Sequence, residues 1–142
     1  MKCACRKEVV TVENGPKAIG PYSLGIRAGH FVFCSGQLGL DPATGSLVEG
    51  GVEAETRQAL TNLSAILQGA GSGLENVVKT TVFLRDINDF VRMNTVYAEF
   101  FKSDPPARSA FQVAALPRSA AVEIEAVALL GQENDVDCGC GE

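Results

Sequence analysis

Val77-Val78-Lys79-Thr80-Thr81-Val82-Phe83-Leu84 is the stretch from which the fold is read. It is rich in β-branched residues and reads as a central strand. A helix precedes it. Val52, Ala59, Leu60, Leu63, Ile66, Leu67 and Ala70 recur at three- and four-residue steps, and Gly69 and Gly71 mark the end of the segment Val52 to Ala70. A second helix follows over about Asn88 to Lys102, with Phe90, Met93, Tyr97, Phe100 and Phe101 on one face and Pro105-Pro106 as its stop. Further out lie a first strand at Glu8 to Val12, a hairpin of Ser23–Ile26 and Phe31–Ser35, and two closing strands, Ser109–Val113 and Val122–Leu129. The order β-β-β-α-β-α-β-β has few parallel crossovers. It predicts an α+β fold, a mixed sheet carrying its two helices on one face.

The chain has 142 residues, the size of one domain, and neither a repeat nor a linker divides it. With 46% hydrophobic and 20% charged residues it is neither disordered nor fibrous, and no apolar run approaches the roughly 20 residues that span a bilayer. The net charge of −5 and the lack of a basic run speak against RNA or DNA as the main partner. No secretory signal is evident, so the expected address is cytoplasmic. The single histidine, His30, reads as part of a solvated hairpin turn, which leaves Arg, Glu, Asn, Tyr, hydroxyls and backbone for any chemistry. Cys34, in mid-strand, reads as a small buried hydrophobe.

Three polar positions sit where apolar residues belong. Asn94 points with the apolar face of its helix, where an amide needs partners, whether in a site or simply within the core. Glu123 and Glu125 alternate with Val122, Ile124 and Ala126, so both carboxylates share one face of the last strand with Ala121, Val127 and Leu129. That face is either solvated or a place where a carboxyl holds its proton to higher pH, as a proton-transfer group requires. Arg108 opens a strand expected to pair with the one bearing Glu123. Its guanidinium suits either a substrate carboxylate or an ion pair with Glu123.

Pro106-Ala107-Arg108-Ser109-Ala110-Phe111 and Val122-Glu123-Ile124-Glu125-Ala126 resemble the signature of the RidA/YjgF family of enamine/imine deaminases. Ala18-Ile19-Gly20-Pro21-Tyr22-Ser23, Cys34-Ser35-Gly36-Gln37, the Val78–Leu84 run and Met93-Asn94-Thr95-Val96-Tyr97 resemble further family blocks, in the family's order, over roughly residues 8–130. The resemblance implies a chorismate-mutase-like fold assembled as a barrel-like homotrimer, with a ligand pocket in each subunit cleft. It implies that Arg108 grips the substrate carboxylate and Glu123 positions or activates water. Tyr22, Ser35, Gly36 and Asn94 would line the pocket. Ala110 stands where the family often has cysteine and retains the backbone N–H that binds a carboxylate or the reacting oxygen. The implied reaction hydrolyses 2-enamines and 2-imines, such as 2-aminoacrylate and 2-aminocrotonate, to 2-keto acids and ammonia without metal or other cofactor. Two alternatives belong to other classes: a translation inhibitor with ribonuclease activity, and a non-catalytic trimer that senses 2-keto acids. The tails, residues 1–7 and 131–142, carry Cys3, Cys5, Cys138 and Cys140 outside the resemblance. A metal site, a redox pair and no function are all open readings for them.

Overall fold

The computed structural model describes residues 6–131, so Cys3, Cys5, Cys138 and Cys140 lie outside the described residues. Six strands form one sheet in the order β1-β2-β3-β6-β4-β5. They are β1 (Lys7–Val9), β2 (Gly25–Ala28), β3 (Phe31–Leu38), β4 (Val77–Leu84), β5 (Ala107–Gln112) and β6 (Val122–Leu129). The helices are α1 (Gly51–Gly69) and α2 (Phe90–Phe100). Every neighbouring pair is antiparallel except β4 and β5, which run parallel and are joined through α2. The expected mixed α+β sheet is therefore observed, with boundaries shifted by a few residues at most strands.

One expectation is overturned. The strand opened by Arg108 pairs with β4, Arg108 opposite Thr80, and does not pair with β6. The β6 strand lies between β3 and β4 instead. The parallel pair needs a long crossover, and α2 supplies it. Adjacency in sequence suggested a β5–β6 hairpin; the crossover placed β5 at the far edge of the sheet.

Both helices cover one face. Leu60, Leu63, Ile66 and Leu67 of α1 and Met93 of α2 are completely buried against Val32, Val82, Val122, Ile124 and Ala128 of the strands. At about 1.5–3 kcal/mol for each large apolar side chain, this layer is the main stabilising term of the fold. The end of α1 follows from its glycine. Gly71, at φ 79, lets Ser72 N–H reach the Leu67 carbonyl at 2.8 Å while its own N–H reaches Gln68 at 3.1 Å. The other face of the sheet carries Phe31, Phe33, Phe111 and Leu129, which are 41, 47, 46 and 42% exposed.

Candidate active site

Register in the β3–β6 pair breaks between Cys34 and Gln37. This irregularity inserts Ser35 and Gly36 between two well-paired stretches and re-aims the strand at that point. Ser35 Oγ donates to the Ser23 carbonyl at 2.6 Å, and Gln37 Nε2 donates to the Ser35 and Gly36 carbonyls at 3.2 and 3.3 Å. Glu123 lies directly over Gly36. A Cβ at position 36 would stand 2.6 Å from Glu123 Oε1 and 2.9 Å from its Cδ, so the carboxyl occupies space that only glycine leaves open. Burial, reinforced by the nearby Glu125 charge, holds the Glu123 carboxyl above its ordinary pKa.

These residues line a cleft of about 600 Å³ together with Tyr22, whose hydroxyl accepts from the Ile19 N–H at 3.4 Å. Four of the site residues expected from sequence, Tyr22, Ser35, Gly36 and Glu123, thus meet in one place. Lys17 and Arg118 line it too and were not singled out. Arg118 and Ser119 adopt left-handed backbone, φ 56 and 54, a conformation that costs about 1–2 kcal/mol for each non-glycine residue. Two contacts hold this turn: Arg85 Nη1 donates to the Ser119 carbonyl at 2.6 Å, and Arg118 Nη1 donates to that of Gly45. Nothing in Pro117-Arg118-Ser119 announces such a backbone, since no glycine or asparagine marks it.

The other three residues meet elsewhere. Arg108 Nη1 donates to Asn94 Oδ1 at 2.7 Å, and the guanidinium carbon lies 4.7 Å from the Tyr97 ring centroid and 5.5 Å from that of Phe90. Asn94 is thus a satisfied amide with a specific task. Ala110 shares the helix-covered face with Arg108 and packs against the core. Val113 N–H donates to the Leu84 carbonyl at 3.0 Å. The two-residue period of a parallel ladder then turns the N–H groups of Ser109 and Phe111 toward β4, and that of Ala110 toward the open sheet edge.

The two groups are separated by the sheet itself. Arg108 is opposite Thr80, Thr80 is opposite Ala126, and Glu123 lies three residues further along β6. Strand spacing and rise place the Arg108 and Glu123 backbones on the order of 14 Å apart, with their side chains on opposite faces. An ion pair between them in one chain is excluded. Among the described residues no group of three or more His, Cys, Asp or Glu is placed to hold a metal ion, and no helix is long and apolar enough to cross a membrane.

Comparison with known proteins adds an independent observation. The family described as endoribonuclease L-PSP matches residues 12–130. A human protein named 2-iminobutanoate/2-iminopropanoate deaminase is 51% identical over 125 residues, 88% of this chain and 91% of its own. Among solved structures, the YjgF gene product of E. coli superposes with a TM-score of 0.82 at 42% identity, over 86% of this chain and 98% of that one. E. coli TdcF with bound serine superposes at 0.83 and 39% identity, over 87% and 99%.

Gly36→Ala is expected to fold, because the group in its way is the swinging end of a side chain, and to drive the Glu123 carboxyl from its place. Carboxyl-carbon NMR titration reads the displacement: the Glu123 pKa should fall toward the ordinary value of about 4.3. An unchanged titration in a folded variant contradicts the packing described.

Proposed function

This chain belongs to the RidA/YjgF family, described by its model as endoribonuclease L-PSP, and we propose from that premise that it hydrolyses 2-imino acids to 2-keto acids and ammonia. The observation that carries the reading is that the chain offers both a cleft carboxyl of raised pKa, Glu123, and an arginine, Arg108, held by neutral groups on the opposite face and open to a carboxylate. The human relative's name refers to imine deamination, and TdcF carries serine, a ligand with the same α-carboxylate.

The chemistry asks for little. Enamines such as 2-aminoacrylate and 2-aminocrotonate tautomerise to imines. Water then adds to the imine carbon, the carbon–nitrogen bond breaks, and ammonia leaves as the carbonyl forms. Arg108 and the Ala110 N–H grip the substrate carboxylate. Glu123 holds the water, takes its proton during attack and returns it to the departing nitrogen. Tyr22, Ser35 and Gly36 shape the surrounding wall. Orientation of two reactants is the larger part of the acceleration, since the free imine already reacts with water.

Because Arg108 and Glu123 sit on opposite faces, the working site is assembled from two copies, the cleft of one facing the β5 edge of the next. A homotrimer closes that head-to-tail contact into a ring. The exposed Phe31, Phe33, Phe111 and Leu129 support the assembly, because a sheet face with several large apolar residues is stabilised by being covered. The family description as an endoribonuclease gives the second reading, in which the cleft cleaves RNA. The net charge of −5 weighs against it, since phosphate-backbone binding draws on positive charge.

The test generates 2-aminoacrylate in place with an amino-acid dehydratase and follows imine loss. Wild type should accelerate it, and Arg108→Ala and Glu123→Ala should each reduce kcat/KM by at least about a hundredfold. RNA cleavage by the same preparation, lost in Arg108→Ala, with no effect on imine would favour the second reading. The pH dependence has a defined sign. Glu123 must be ionised to take a proton, and its raised pKa in the free protein places the acid limb of kcat/KM above the ordinary carboxylate value of about 4.3. Glu125→Gln removes a like charge and should move that limb to lower pH; no movement contradicts the coupling.

A further inference from the structure

Arg108 is oriented by groups that carry no charge. Its contacts are the Asn94 amide, the face of Tyr97 and the face of Phe90, and among the described residues no carboxylate pairs with it. Arg27, Arg57 and Arg92 each hold an acid, and Arg85 and Arg118 reach exposed backbone carbonyls; Arg108 alone among these lies over two aromatic rings. A carboxylate at Arg108 would fix the guanidinium more firmly but would compete with an incoming carboxylate for the same donors. Aromatic faces and an amide oxygen fix its plane and leave its charge in force.

Tyr97 is the centre of this arrangement, and it is itself clamped. Its hydroxyl lies 2.7 Å from Thr80 Oγ1, and Thr80 is the β4 residue directly opposite Arg108. Its ring packs on Phe101 with centroids 4.7 Å apart. Tyr97 and Thr80 are 6 and 1% exposed, so the platform has no freedom to turn. Burial raises the Tyr97 pKa despite the opposing pull of the Thr80 hydrogen bond and the Arg108 charge, so the cation beside it does not ionise the hydroxyl.

We infer that Tyr97 is a positioning residue for Arg108, the main element of a neutral cradle with Phe90 and Asn94 that orients the guanidinium while leaving its charge for the ligand carboxylate. This rests on the reading of Arg108 as the carboxylate grip. The cradle gives Tyr97 a task that an aliphatic core residue could not perform: the ring faces the cation, and its hydroxyl ties it to the neighbouring strand.

The experiment measures KM and kcat for 2-iminopropanoate and, separately, the binding of 2-oxobutanoate. The chain has no tryptophan and only two tyrosines, Tyr97 among them, so binding is followed by titration calorimetry, which reads every variant alike. Tyr97→Leu should raise KM and the keto-acid Kd about tenfold with kcat nearly retained, and Tyr97→Phe, which keeps the ring, should show a smaller rise. Asn94→Asp is the decisive variant. It holds Arg108 by an ion pair, so it should weaken keto-acid binding at least about tenfold, and more than Asn94→Ala does. Asn94→Asp that binds keto acid as tightly as wild type overturns the neutral cradle, as does Tyr97→Leu with kcat lowered and KM unchanged. Should Tyr97→Leu fail to fold, Asn94→Asp decides alone. Failure of wild type to act on any imine refutes the deaminase reading but leaves the keto-acid binding comparison valid. Binding untouched by Arg108→Ala removes the grip and the cradle with it.

Discussion

A pleated strand sends successive side chains to opposite faces, and in this protein that rule divides the chemistry in two. Glu123 follows core-facing Val122 and precedes core-facing Ile124, so its carboxyl must emerge on the face the helices leave uncovered. Arg108 is a partner of Thr80, whose side chain is buried under α2, so its guanidinium must emerge beneath that helix. Neither could change sides without a one-residue slip that would expose the core. The hydrophobic pattern that builds the protein therefore also fixes where its acid and its cation point.

Each half is prepared by a local device. On the cleft side, a break in the β3 ladder places Gly36 beneath Glu123, and the missing side chain gives the carboxyl a partly desolvated seat. Such a seat opposes ionisation, which is unfavourable for stability and favourable for proton transfer near neutral pH. On the edge side, α2 presents Phe90, Asn94 and Tyr97 at helical spacing to one guanidinium. The crossover from β4 to β5 exists to place the edge strand, and the same helix supplies the groups that hold its arginine.

Much of this was legible from residue patterns. The periodicity of Val52 to Ala70, the β-branched run at Val77 and the double proline after α2 set the elements, because each signal is local. Asn94 stood out as an amide on an apolar face, and it proved to hold Arg108. Pairing was less legible: β5 was expected beside β6, since nothing in Arg108 to Phe111 states whether its partner lies before or after it in the chain. The bulge at Ser35–Gly36 has one local mark, the glycine inside the strand, whereas the left-handed turn at Arg118–Ser119 arises from tertiary contacts and no propensity marks it. Tyr97 read as an ordinary core residue because its packing role and its contact with Arg108 use the same face of the helix.

The central claim is that one working site takes Glu123 from one copy and Arg108 from another. Co-expression of Arg108→Ala and Glu123→Gln chains, each inactive alone, tests it most directly, with light scattering to verify a mass near three times 14.9 kDa. Random mixing in a head-to-tail ring joins an intact Glu123 half to an intact Arg108 half at about one contact in four, so the mixture should recover about a quarter of wild-type imine hydrolysis. Mixed trimers as inactive as their parents would contradict the account.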